Sequence, residues 1–240
     1  MILLYLNMWI KAPNISVKHG FSTRKGGISP APFDSLNLAG SEDLLENIEK
    51  NRTIALSELG ISPSQIANLK QIHGCDVVCA KPGTFTGDAL VTNEKGIAIA
   101  VAAADCYPLL FHDAEHHVIG AAHAGWRGTV ARIAAQTIAK MIELGAKAEN
   151  IQMAIGPGIC HEHFEVGAEV HEQFRKEGFP ENIFYDKNID LVKANEFVAL
   201  EMGLKKENIW ALQRCTYETD FFSYRRDGGK TGRMWGVIML

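Results

Sequence analysis

Three residues near the middle of the sequence carry side chains that bind soft metals or pair as nucleophile and base. They are His73 in LKQIHGCDVV, Cys106 in AVAAADCYPLL and His123 in HVIGAAHAGWRG. Cys106 and His123 each close an apolar run, so two adjacent strands would bring them to one rim of a sheet, where α/β folds place ligands. Two chemistries use such a pair. In a cysteine hydrolase, Cys106 attacks and His123 is its base, oriented by Asp105 or Gln71. In a zinc site, His73 joins from a His-Gly kink in a strand pattern. Imidazole and thiolate both suit that borderline-soft ion, and three protein ligands leave a fourth position open. A water held there has its pKa lowered toward ~7. Each residue alone also has a structural reading, as a buried thiol or a hydrogen-bonded core histidine. Stoichiometric zinc separates the two chemistries. Cys75, Cys79, Cys160 and Cys215 have no comparable partners in the sequence and are read as structural.

Three basic, glycine-containing stretches supply candidate anion sites. HAGWRGT turns from a strand into a helix, leaving backbone N–H groups at the positive end of the helix dipole, with Arg127 in the turn. STRKGG offers Arg24. SYRRDGGKTGR offers Arg225 and Arg226, for which an exposed basic turn is the simpler reading. Arg24, Gln71 and Arg127 are taken as substrate contacts, and Asp105 as a proton carrier beside the three ligands.

The elements that must position these residues follow from the pattern. GIAIAVAAAD (96–105) and HVIGAAHAG (117–125) are continuous apolar runs too short for ordinary helices, which predicts buried strands. Residues 19–40 are dense in Gly, Ser and Pro and predict a loop. Ser41 is expected to cap the helix that begins EDLLENIEKNRTIALSEL, closed by Gly60. TVARIAAQTIAKMIEL (129–144) reads as one helix ending at Gly145. IQMAIGPG, NIWALQRCTY and MWGVIML supply strands, and two helices end at Gly178 and Gly203. MILLYLNMWI is apolar but about half the length of a membrane span, and predicts a buried strand. His112, His116, His117, His161 and His163 are read as loop residues with no assigned role. The alternation predicts an α/β fold with α+β character, organised as a single domain over residues 1–240.

With 240 residues, 47% of them hydrophobic, the chain is long enough to bury a full core. A net charge of -4 gives no general pull toward nucleic acid or anionic membrane. Five cysteines with no CxxC spacing and no secretory leader point to reduced thiols in the cytoplasm. The deaminase signature HxE…PCxxC does not occur. Nine histidines with a single HxH pair, His161-Glu162-His163, fall short of four-copper chemistry.

Taken in order, HGFSTRKGGIS, SLNL, KQIHG, ADCYPLL, HAGWRGT, IGPGIC and FFSYRRDGGKTGR resemble the laccase-domain family, the YfiH-like or polyphenol oxidase proteins. The resemblance runs from about His19 to the C-terminus. It implies a single domain of mixed sheets layered between helices, akin to a cysteine-hydrolase-like fold. It also implies a His-Cys-His zinc site, whose matching positions are His73, Cys106 and His123. The implied activity is purine nucleoside phosphorolysis on adenosine, inosine and 5'-methylthioadenosine, with adenosine deamination. The small-molecule partners are then a purine nucleoside and phosphate. Two alternatives stand beside it: a copper-dependent polyphenol oxidase, and a hydrolase or fidelity factor for peptidoglycan precursors. This chain departs from the family pattern in GISPAPFDSLNL and at Cys160 after GPGI, neither of which touches the three ligands.

Overall fold

The computed structural model describes residues 8–40 and 42–240. The chain forms fourteen strands and five α-helices among these residues. One sheet is built from β1 (Trp9–Ile10), β2 (Lys18–Ser22), β3 (Ile66–Lys70), β5 (Gly83–Thr86), β7 (Ala98–Ala103) and β14 (Met234–Met239), in the order β1-β2-β14-β7-β3-β5. The other contains β4 (Val77–Cys79), β6 (Ala89–Thr92), β8 (Tyr107–Asp113), β9 (Val118–Ala124), β10 (Gln152–Ile155) and β13 (Ile209–Ala211), in the order β13-β10-β8-β9-β6-β4. Both sheets are mixed: β3 runs parallel to β5 and β7, whereas β8, β9 and β6 form an antiparallel ladder. A small hairpin, β11 (Phe184–Tyr185) and β12 (Asn188–Ile189), stands apart.

The helices are α1 (Leu45–Glu58), α2 (Trp126–Val130), α3 (Ile133–Glu143), α4 (Ala168–Lys176) and α5 (Leu191–Glu201). The sheets stack face to face between them, and the strand period of two explains how. In β9, Ile119 and Ala121 point into the layer between the sheets, while Val118, Ala122 and Ala124 pack toward α3 and α5. In β14, Ile238 enters the shared layer, and Trp235, Val237 and Met239 cover α1. Strands covered on both faces need apolar residues at every position, hence the continuous runs at 96–105 and 117–125. The expected α/β class and helix-flanked mixed sheets are what the structure contains. No helix among the described residues is long and apolar enough to cross a membrane.

Several local expectations need correction. His19–Ser22, placed in a loop by composition, is most of β2, whose Phe21 is fully buried opposite Gly236. The helix expected over 129–144 is two, because Arg132 takes a left-handed conformation (φ 59°) between α2 and α3. Arg132 is held there by Glu201, by the Glu177 carbonyl and by the rings of Phe179 and Phe197. Tertiary contacts override a continuous helical pattern. The N-terminal strand is seen only as β1, and Ser41 with residues 1–7 lies outside the described residues. At the start of α1, Asp43 accepts from the Leu44 N–H and binds Ser29, Asn37 and Asn47. His112 is not a loop residue but a buried member of β8, and the carboxylate of Asp113 holds His116.

Candidate metal centre

Cys106 and His123 do meet, by a different route from the expected one. Strands β7 and β9 lie in different sheets, so their ends are not neighbours in one ladder. Cys106 sits in the crossing from β7 to β8, and β8 pairs with β9 so that Pro108 faces His123 and Tyr107 faces Ala124. His123 shares its face with Ile119 and Ala121, which places it at the open end of the layer between the sheets. His73 enters from the connection between β3 and β4. The three ligating atoms lie within 4.8 Å of one another. The His73 and His123 rings stand edge to face, 5.0 Å apart.

Asp88, just before β6, holds this arrangement. It is fully buried, and Oδ1 lies 3.0 Å from His123 Nδ1. Its two oxygens also accept from the backbone N–H groups of Ile72 (3.3 Å), His73 (3.0 Å) and Gly74 (2.7 Å). One carboxylate therefore directs Nε2 of His123 toward Cys106 and stabilises His73 in the left-handed region (φ 60°). Burial alone would raise the pKa of Asp88, but the bonds from His123 and Gly74 hold it below the usual carboxylate range. Sequence reading missed Asp88, because a single acid before a four-residue apolar strand shows nothing of what it will face. Its only signal is an acid opening an otherwise apolar segment, GDALV.

The sulfur is activated. Burial would push the Cys106 thiol up, yet the charge and hydrogen bonds of His123 and His73 bring it down to about 6. Burial likewise disfavours His123⁺, but the Cys106 charge and the Asp88 bond raise it to about 9. Between these values the metal-free pair is a thiolate beside an imidazolium, and the thiol reforms below about 6. Iodoacetamide alkylation of Cys106 in metal-stripped protein is therefore expected to gain rate as pH rises through about 6. A midpoint in the ordinary thiol range would contradict this pairing.

Gly125 completes the fit. A Cβ there would lie 2.8 Å from Cys106 Sγ and 3.8 Å from His73 Cδ2. Only a glycine leaves the sulfur its place. Gly125→Ala is expected to keep the fold but weaken metal binding at least about tenfold, the low end for disturbing a ligand's support, read by competition with a chelator. The residues present thus fit a thiophilic cation: two imidazoles, an ionised thiol, and a carboxylate behind one imidazole.

The ligands floor a cleft of about 580 Å³. Its walls include Leu69, Ala102, Ala103, Ile159 and Phe164, together with Tyr224, Arg225 and Arg233. Asp105 and Gln71 also line it. Both oxygens of Asp105 are engaged, by Thr216 Oγ1 (2.6 Å) and the Arg225 N–H (2.7 Å). The Gln71 amide closes on the backbone of Ala102 with bonds of 2.8 and 2.7 Å, tying the end of β3 to β7 beyond their last paired residues. Neither is positioned to orient His123, a task that falls to Asp88.

Arg24 and Arg127 do not line the cleft. Arg24 pairs with Asp34 and lies over the Phe222 ring, beside a separate depression. Arg127 is exposed and stacks on Trp126, 4.3 Å from the ring centre. Arg226 is fully committed to Asp227 and to the carbonyls of Thr216, Tyr217, Glu218 and Phe221. Among the described residues, the arginines that reach the cleft are Arg225 and Arg233. Arg233 escaped sequence reading because it ends a stretch already explained as a basic turn.

Comparison with known proteins agrees with this architecture. Residues 18–240 match the family described as multi-copper polyphenol oxidoreductase laccase. A purine nucleoside phosphorylase of Deinococcus radiodurans is 47% identical over 96% of this chain and 92% of its own length. A protein from an unknown prokaryotic organism, named adenosine deaminase RL5, is 35% identical over 95% of each chain. Among solved structures, YlmD of Geobacillus stearothermophilus superposes with a TM-score of 0.91 at 29% identity, covering 97% of this chain and 98% of that one. Protein NMB0706 of Neisseria meningitidis gives 0.87 at 34% identity, covering 97% and 99%. On sequence and on fold alike, the chain belongs to the laccase-domain family of YfiH-like proteins.

Proposed function

We propose that this chain is a cytoplasmic zinc-dependent purine nucleoside phosphorylase acting on adenosine, inosine and 5'-methylthioadenosine, with adenosine deaminase activity. The observation that carries the reading is the convergence of His73, Cys106 and His123 on the floor of a cleft sized for a nucleoside, in a chain 47% identical to a named phosphorylase. His73, Cys106 and His123 would hold the ion. When bound, zinc supplies a Lewis acid with an open position.

The chain's own residues supply the rest. Leu69, Ala102, Ala103, Ile159 and Phe164 form an apolar wall suited to a purine face, and they exclude water from it. Arg225 and Arg233, rather than Arg24 and Arg127, take the phosphate, because they are the arginines that line the cleft. Asp105 is the one carboxylate among the lining residues, and we assign proton transfer to it. Thr216 and the Arg225 N–H fix its orientation while leaving lone pairs free. Purified protein given adenosine should release adenine when phosphate is present and inosine when it is absent, resolved by chromatography. Neither product from zinc-loaded protein would sink the proposal. Copper-dependent phenol oxidation, the family-level alternative, is tested by a catechol assay on the same protein loaded with copper.

One observation favours a second reading. Asp88, His123 and Cys106 are linked in series, as the acid, base and nucleophile of a cysteine hydrolase are. In that case Cys106 acts as a nucleophile and not as a ligand, on a substrate class such as a peptidoglycan precursor.

A further inference from the structure

Cys160 and Cys215 are far apart in sequence, yet the fold brings them together with His163. We propose that Cys160, His163 and Cys215 form a second metal site, for a thiophilic ion of the zinc class, on the outer side of the segment that walls the cleft. The three ligating atoms lie within 4.8 Å of one another, as in the first site. His163 Nδ1 is 3.1 Å from Cys160 Sγ and 3.5 Å from Cys215 Sγ. A tetrahedral zinc with Zn–S about 2.3 Å and Zn–N about 2.0 Å separates its sulfur and nitrogen ligands by about 3.5 Å. The site is already near the size the ion needs.

Its parts are held by structure that does not depend on an ion. Cys160 and His163 are three residues apart across a single 3-10 turn, whose geometry brings i and i+3 to one side. Cys215 is delivered by a bridge in which Gly158 pairs with it, and the Thr216 N–H donates to Gly158 (2.9 Å). The Cys160 N–H donates to Cys215 Sγ at 3.1 Å. The His163 ring lies parallel to Tyr217, 4.0 Å between centres and 4° between planes, which sets its orientation. Two thiolates and an imidazole leave a fourth place for water or for Glu162, which hydrogen-bonds Cys160 and lines an outer cleft with it.

The site would brace the catalytic wall. Ile159 and Phe164, which bracket the turn, face the inner cleft, and Arg225 donates to the carbonyls of His163 and Glu165. Thr216, next to Cys215, holds Asp105. An ion here would tie together the two segments that carry Phe164 and Asp105.

The test uses full-length protein kept reduced, with His73→Ala and Cys106→Ser combined to empty the first site. Added cobalt is expected to bind at one equivalent with thiolate-to-cobalt charge transfer in the near ultraviolet. Cys160→Ser with Cys215→Ser on that background should abolish both. No cobalt binding, or a band that survives those substitutions, would overturn the proposal. A Cys160–Cys215 disulfide that persists in mass spectra of protein held under excess thiol reductant would overturn it too. Should the background variant fail to fold, zinc analysis of otherwise unaltered protein decides: Cys160→Ser must lose one equivalent, and an unchanged count refutes the site. Either readout is independent of nucleoside turnover.

Discussion

Cys106→Ala is expected to abolish nucleoside turnover while leaving the fold intact. Cys106 is a half-buried residue that lines the cleft, so removal of its thiol opens no closed cavity in the core. What it removes is the one anionic ligand among His73, Cys106 and His123, and the charge that raises His123 to about 9. Without it, two imidazoles must hold the ion alone. A fall of at least about 10³-fold in kcat/KM corresponds to about 4 kcal/mol of lost transition-state stabilisation, within reach of a missing Lewis acid. Steady-state kinetics beside a thermal melt checks it. Activity within tenfold of the unaltered protein would mean that Cys106 is neither ligand nor nucleophile.

Asp88→Ala has the second largest expected effect, and it falls on stability and metal affinity together. The substitution strips the acceptor from His123 Nδ1 and from the N–H groups of Ile72, His73 and Gly74 at one stroke. Breaking one side of a buried, charge-assisted set of this kind costs about 3–5 kcal/mol. In a chain of this size that lowers Tm by roughly 10 °C, at about 2–4 °C per kcal/mol. Zinc affinity should drop about 10–100-fold, since the partner that orients a ligand is lost. Asp88→Asn separates the two effects: its amide oxygen still accepts from the His73 loop, so stability recovers in part. The charge that favours His123 is gone, so the affinity loss remains. Equal recovery of both would show that Asp88 serves only to hold the loop.

The part of this architecture legible in the sequence is the part that burial writes directly. Runs such as AIAVAA and VIGAAHA must be strands covered on both faces, and chemistry placed at their ends must emerge at a rim. Cys106 and His123 stand out for that reason, and His73 because a histidine-glycine pair interrupts a strand pattern. Relations between distant segments were not legible. Asp88 is a lone acid until the 72–74 loop folds onto it. That β7 and β9 fall in separate sheets is a matter of topology, and no local pattern encodes it. Arg132 breaks a helical run because Glu201 and two phenylalanine rings on other elements capture its guanidinium. Arg24 and Arg127 looked like anion ligands from their glycine-rich surroundings, but an acid and an indole ring claim them locally. Cys160 and Cys215 meet only through a backbone bridge that spans the later third of the chain.

The central claim is that His73, Cys106 and His123 act as one metal centre on which phosphate-dependent cleavage of purine nucleosides depends. Its most direct test measures bound zinc and adenine release on the same preparations of unaltered and Cys106→Ser protein, with phosphate present. Both are expected to fall together: one equivalent of zinc lost and adenine release abolished. Loss of activity with the zinc count unchanged would contradict it, and would make Cys106 a nucleophile served by His123 and Asp88.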